Sequence, residues 1–430
     1  MPRCPARRAP RAHALFALPL LAALLTAQDD RRHGPDSPDR GLPRDPLAFT
    51  PYDAAADALP NRLFRAFWLQ RQTPAEVAAV IPRGEPVAWT DGWVHGKRAG
   101  TADDARWFGG DGRLLPLEGL DAAVEAAAAA DLAALCRDDA ALTSLRRQPA
   151  LAALLQHDLL RAAERLLDTK QNAALLPLLR RAAQALALPA DALAALPDPL
   201  RAAAAADLEF AAQLPKQLGG KADGYREIGR RSTRLFDAEK TVLWSRLFLR
   251  HPDGETALAA LLPAALGEAD KKRGPTVPLG FQAVLVQGLV VFDRDGAPRA
   301  TPLAFDVRVQ TLRNRDPLAA ANATFTHDGL DFAVWQLERQ RLREGQGQPF
   351  RRIDPDDQDL FRDYGTGKHT THRGQCALCH RLSGTPEPNL GGFPVLRPHV
   401  QAAFAATGEE RLRLAEQQAA KLWARLPAGD

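Results

Sequence analysis

Cys376, Cys379 and His380 stand in the run HRGQCALCHRLSG, near the end of a chain of 430 residues. The Cys-x-x-Cys-His spacing can serve three chemistries. Two thiols separated by two residues reach the two vinyl groups of one porphyrin, and an imidazole on the next residue meets the iron, which is how a haem is held covalently. The same thiols with His369 or His372, just upstream, offer a zinc ligand set. In an oxidising compartment they can instead close a disulfide.

The N-terminus bears on the choice. Arg3, Arg7, Arg8 and Arg11 form a positive patch, an apolar run ALFALPLLAALLT follows from Ala14 to Thr26, and Ala27 precedes the polar QDDRR. That order is the order of a secretory signal peptide over residues 1–27. The apolar run is too short for a comfortable bilayer span, and no other stretch approaches that length, so the expectation is an exported chain, periplasmic or extracellular, with no stable membrane span after cleavage. Covalent haem attachment in bacteria takes place outside the cytoplasm, so export and the motif agree.

Cleavage also changes the charge and the sulfur inventory. The net charge of +4 loses the four arginines of 1–27, which leaves the mature chain neutral. A nucleic-acid role thereby loses its electrostatic support. Cys4 goes with the leader, and so does Met1, the one methionine of the chain. The mature protein keeps Cys136, Cys376 and Cys379 and has no thioether.

Residues 28–50 are rich in Pro, Asp and Arg without apolar periodicity and read as a disordered linker. Residues 51–215 read as a helical domain. NRLFRAFWLQR has amphipathic spacing, and the Ala/Leu-rich stretch 117–215 carries Leu151, Leu154, Leu155, Leu159 and Leu160 at helical intervals, punctuated by Pro149, Pro177, Pro189 and Pro197. Cys136 sits among apolar residues there and reads as an inert buried thiol. His95, beside a glycine, reads as a loop residue.

Residues 216–345 read as a mixed α+β region. FQAVLVQGLVVF and AFDVRVQTL flank the turn signal DRDG, which predicts a hairpin. Phe305, Val307 and Val309 fall on one face and Asp306, Arg308 and Gln310 on the other, so a single buried face is expected. DFAVWQLERQRLREG returns to helical spacing. The acidic run IDPDDQD lacks the glycine and distal glutamate of a calcium loop and reads as a helix start. The chain has no Walker loop, no Gly-x-Gly-x-x-Gly after a strand, no Gly-x-Ser-x-Gly and no His-Glu-x-x-His.

Beyond the motif, CALCHRLSGTPEPNLGGF is similar to class I cytochromes c, in which the haem motif precedes a glycine and then Pro-Asn-Leu-x-Gly, here Pro388-Asn389-Leu390-Gly391-Gly392. The resemblance implies one covalent haem c bound through Cys376, Cys379 and His380, with the Pro388 carbonyl orienting His380 and Leu390 covering the ring. It covers about residues 346–430. DPDDQDLFRDYG would be the family's N-terminal helix and RLRLAEQQAAKLWARL its C-terminal helix, with Leu412, Ala415, Ala419, Leu422 and Leu426 on one face. The family's sixth ligand is usually methionine, which the mature chain lacks. His399 is the candidate for that position, ahead of His369 and His372, and loss of the thioether implies a lower reduction potential.

The fold expected from the whole chain is mainly α: an Ala/Leu-rich helical region, a mixed segment with a β-hairpin, and an all-α C-terminal domain like cytochrome c. The expected function is electron transfer to a redox partner protein. Two alternatives stand beside it: a peroxidase-like haem-dependent oxidoreductase with an open iron site, and a structural or binding protein with zinc at the Cys-x-x-Cys-His.

Overall fold

The computed structural model describes residues 50–72, 88–89, 92–93, 106–109, 120–228, 242–266, 278–312, 330–352 and 408–428. The chain enters through Tyr52 into α1 (Leu59–Trp68), which buries Leu63, Phe64, Phe67 and Trp68. Two small antiparallel pairs follow, β1 (Leu69–Gln72) with β4 (Arg106–Gly109) and β2 (Ala88–Trp89) with β3 (Gly92–Trp93).

The Ala/Leu-rich stretch forms helices, as its periodicity predicts. They are α2 (Ala122–Leu135), α3 (Asp139–Arg146), α4 (Pro149–Thr169), α5 (Leu175–Leu186), α6 (Ala190–Ala194), α7 (Pro199–Ala206) and α8 (Leu208–Gln213). Alanine and leucine favour helix throughout this stretch, so local signals must say where each helix begins. Aspartates do so for four of them: Asp121, Asp138, Asp198 and Asp207 each accept a backbone N–H of the first turn. Such a cap contributes about 1 kcal/mol and satisfies an otherwise orphaned donor. Pro149 starts α4, where its missing N–H costs nothing.

Beyond these helices the expectation of a mainly α protein fails. The described chain is about 52% helix and 23% strand. Strands β5 (Tyr225–Ile228), β6 (Leu243–Arg250), β7 (Gln282–Phe292), β8 (Pro298–Leu312), β9 (Leu330–Leu337) and β10 (Phe350–Arg352) form one antiparallel sheet in the order β10-β9-β8-β7-β6-β5. The predicted hairpin is its centre, β7 and β8 joined through the turn that begins at Asp293. Helix α9 (Glu255–Leu266) lies between β6 and β7 in sequence, and α10 (Arg339–Arg343) between β9 and β10.

DFAVWQLERQRLREG is strand first and helix only at its end. Ala333, Trp335 and Leu337 alternate onto the core face, and β9 runs in register with β8, Trp335 opposite Val307 and Ala333 opposite Val309. Cross-strand pairing overrides a helical spacing that the sequence carries only weakly.

Both faces of the hairpin are buried. Val284, Val286, Val307 and Val309 meet the helical layer, where Phe210 of α8 packs between Trp335 and Phe350 at 5.3 and 5.6 Å. On the opposite face Asp306, Arg308 and Gln310 are buried beside Leu285 and Val334. Charge is tolerated there because Arg308 donates to the carboxylate of Asp306 at 2.7 and 3.0 Å, so neither ion is buried alone.

The C-terminal helix α11 (Gly408–Arg425) corrects the expectation of a separate all-α domain. Ala415, Ala419, Leu422 and Leu426 do share one face, as the spacing predicts. That face enters the same buried cluster as the sheet and the helices from Tyr52 onward. The Arg411 guanidinium donates to the Ser245 carbonyl at 2.9 Å, Ala300 N–H donates to Glu416 at 2.9 Å, and Arg180 of α5 donates to the Leu426 carbonyl. The helix is part of the α/β body because its apolar face is already committed there.

Candidate functional site

Cys376, Cys379, His380, Pro388, Leu390 and His399 all lie outside the described residues, as do His369, His372, His95 and the run IDPDDQD. The structure fixes the elements at either side of that segment in sequence. Before it, β10 pairs with β9 at one edge of the sheet. After it, Gly408 opens α11 beside the Glu227 carboxylate, which is itself held by Arg246 at 2.8 and 2.9 Å where β5 and β6 form the other edge. The last described residue before the segment and the first one after it thus lie near opposite edges of the six-stranded sheet.

Cys136 is a free thiol at the C-terminal end of α2, half-buried and packed against the core. It is less enclosed than the fully buried thiol expected, and the partial burial pushes its pKa up.

The most concentrated polar chemistry among the described residues is a junction inside α4 that periodicity did not single out. Asp158 is 1% exposed and accepts from Arg339 at 2.6 and 3.0 Å and from the Tyr52 hydroxyl. Arg339 also donates to the Tyr52 oxygen at 2.9 Å and lies over the rings of Phe64 and Trp68. Phe64 in turn is stacked on Trp68 and meets Tyr52 edge-on. Burial pushes the Tyr52 phenol well above its usual range, with Asp158 adding to that effect against Arg339. The phenol therefore stays protonated and acts as donor.

Asn61 closes the segment ahead of α1. Its side chain accepts the N–H groups of Tyr52 and Asp53 and donates to the carbonyls of Asp53 and Ala55. Gln156, two residues before Asp158 on α4, ties the helix layer to the sheet: it donates to the carbonyls of Ala183 and Phe292 and accepts Phe292 N–H.

His157 stands beside this junction. Its ring is buried against Phe305 of β8 at 6.0 Å, and Nδ1 lies 3.7 Å from Asp158, inside ion-pair range but too long for a hydrogen bond. Neither ring nitrogen has a hydrogen-bond partner. Burial pulls its pKa down to about 4, which outweighs the attraction of Asp158, so the ring is neutral at physiological pH. The sequence does carry a signal for this site. LLQHDLLRAAERLL places Gln156, His157, Asp158, Arg161 and Glu164 among leucines and alanines of a single helix, and all five are buried. A helix buried on every side must pair its polar residues internally.

These groups are locked by one another, and their arrangement joins three distant parts of the chain. Among the described residues no group of three or more His, Cys, Asp or Glu gathers as a metal site, and no helix is long and apolar enough to cross a membrane. No protein-family model, curated protein or solved structure matches the chain.

Proposed function

We propose that the chain is an exported c-type haem protein that transfers electrons to a redox partner protein. The observation that carries this reading is the run Cys376-Ala377-Leu378-Cys379-His380 followed by Pro388-Asn389-Leu390-Gly391-Gly392. Cys376 and Cys379 would hold one haem through thioether bonds, and His380 would bind its iron. The Pro388 carbonyl would accept the other ring N–H of His380 and so orient the imidazole, while Leu390 would shield the ring from water. The bound haem supplies one-electron redox chemistry. The leader 1–27 takes the chain to the periplasm or beyond, where the thiols meet haem. The α/β body is the scaffold on which the partner docks.

His399 is the sixth ligand in this reading, because the mature chain has no methionine to offer. A second reading rests on the same lack. If no side chain fills that position, the iron is open to peroxide or small gases, and the protein is a peroxidase-like haem enzyme. The spin state of the ferric protein separates the two.

The first test exports the full chain from a host with haem-attachment machinery and denatures it. Mass and the alkaline pyridine spectrum of the reduced form should then report one haem bound by two thioethers. Cys376→Ala should leave at most one thioether link, and His399→Ala should alter the oxidised and reduced spectra. Haem-free protein from a competent host, holding zinc or a disulfide instead, would overturn the reading.

A further inference from the structure

We propose that His157 is an acid-operated release for the N-terminal segment, and that the junction of Tyr52, Asp158 and Arg339 opens as the pH falls below neutral while the sheet stays folded. Three observations carry it. First, the Tyr52 hydroxyl on Asp158, reinforced by Arg339, ties residues 50–68 to the buried polar groups of the body, while the Arg62–Asp131 pair holds the same segment at the surface. Secondly, His157 is adjacent to that point, buried, with both ring nitrogens unpartnered and no water-exposed side. Thirdly, the ring has no anion to spare for its protonated form. On α4 it faces Asp158, already committed to Arg339 and Tyr52, and Arg161, a cation that pairs with Glu164. From α10 it faces the cation Arg339 and from β8 the apolar ring of Phe305, while the neutral phenol of Tyr52 reaches Asp158.

A proton on His157 therefore does one of two things. It draws Asp158 away from Arg339 and Tyr52, or it brings water to the ring. Either route loosens the bonds that hold the segment. The ordinary imidazole pKa of 6.5 and the buried value of about 4 set the window. An open form binds the proton more readily than the closed form throughout it, so opening is favoured as the pH falls from 6.5 towards 4 and is unaffected above. The expected size is about a tenfold rise in the opening constant for each pH unit in that window. The sheet gains nothing from the release, because its strands are held by backbone pairing and by the core on both faces.

The test is amide hydrogen exchange on the full chain between pH 8 and 4.5, expressed as protection factors that remove the intrinsic pH dependence. Protection of residues 59–68 should fall about tenfold per unit below pH 6.5 while that of β7 and β8 holds. His157→Gln, which cannot titrate, should abolish that fall. If this variant does not fold, Tyr52→Phe serves: it removes one bond of the clasp and keeps His157, and it should move the opening to higher pH. The proposal is overturned if residues 59–68 and the sheet lose protection together, if His157→Gln keeps the wild-type profile, or if Tyr52→Phe leaves the opening pH unchanged.

Discussion

Trp423, near the end of the chain, lies on Phe292 at the end of β7, with ring centroids 4.5 Å apart and planes at 25°. The Arg180 guanidinium covers the same indole at 4.9 Å. A residue from α11 is thus held between the central strand of the sheet and a helix of the Ala/Leu-rich layer. Replacing Trp423 by alanine removes both contacts from a partly buried site and should cost about 2–3 kcal/mol, read as a lower urea midpoint at unchanged slope. Ending the chain at residue 407 also strips Ala415, Ala419, Leu422 and Leu426 from the core. That shortened chain should be markedly protease-sensitive or insoluble. A shortened chain as stable as the full one would show that α11 is not part of the body.

Gly288 marks the tightest place in the sheet. A methyl group there would collide with the Trp244 ring and come within 2.7 Å of the Leu303 carbonyl. Trp244 is fixed along that same edge, since its indole N–H donates to the Thr301 carbonyl at 2.9 Å. The ring cannot yield without losing that bond, and the pairing of β7 with β8 already shifts register at this glycine. Gly288→Ala should therefore destabilise by about 3 kcal/mol or more, beyond the usual cost of overpacking. Thermal unfolding decides it, and a variant within 1 °C of the parent would contradict the close approach.

The helical layer and the central hairpin were legible because their signals are local. Leucine spacing with proline breaks gives the helices, and alternation about DRDG gives β7 and β8. The rest of the sheet was hidden by its burial. LWSRLFLR and LDFAVWQL carry apolar residues on both faces, so period two is blurred, and only their partners make them strands. Asp306, Arg308 and Gln310 looked like a solvent face because a sequence cannot reveal that an ion pair neutralises them. The amphipathic face of α11 was recognised correctly, but periodicity names a buried face and not the surface it meets. The Cys-x-x-Cys-His reading is of another kind: it rests on residue spacing, on the leader and on the resemblance to class I cytochromes c, and the bound group is its test.

Asp158 and Arg339 offer a test of the junction by substitution. Both side chains are almost fully buried, so truncating one strands the other as an unpaired ion. Asp158→Leu or Arg339→Met should each cost about 3–5 kcal/mol. The double variant Asp158→Leu with Arg339→Met removes both charges and should recover a large share of that loss. Denaturant unfolding of the four proteins forms a cycle, and strict additivity would show that the pair is not coupled.

The chain has three tyrosines, and two of them lie in the described body. Burial pushes Tyr225 up to about 12, against the pull of Arg250, and raises Tyr52 well above its usual value. Both phenols keep their protons in the fold at a pH where the unfolded chain, near pKa 10, gives them up. Their effect on stability is therefore absent below pH 10, and stability falls as the pH rises towards 12. For Tyr225 the loss should reach about 2–3 kcal/mol at the upper end of that window. Phenolate absorbance near 295 nm should show at most one tyrosine titrating near pH 10 in the native protein, with the other two appearing only towards pH 12 or on unfolding. Tyr225→Phe removes one of these late groups without adding a charge, and it should flatten the alkaline decline. An ordinary titration of all three phenols near pH 10, with the fold intact by circular dichroism, would show that Tyr52 and Tyr225 are not enclosed as described.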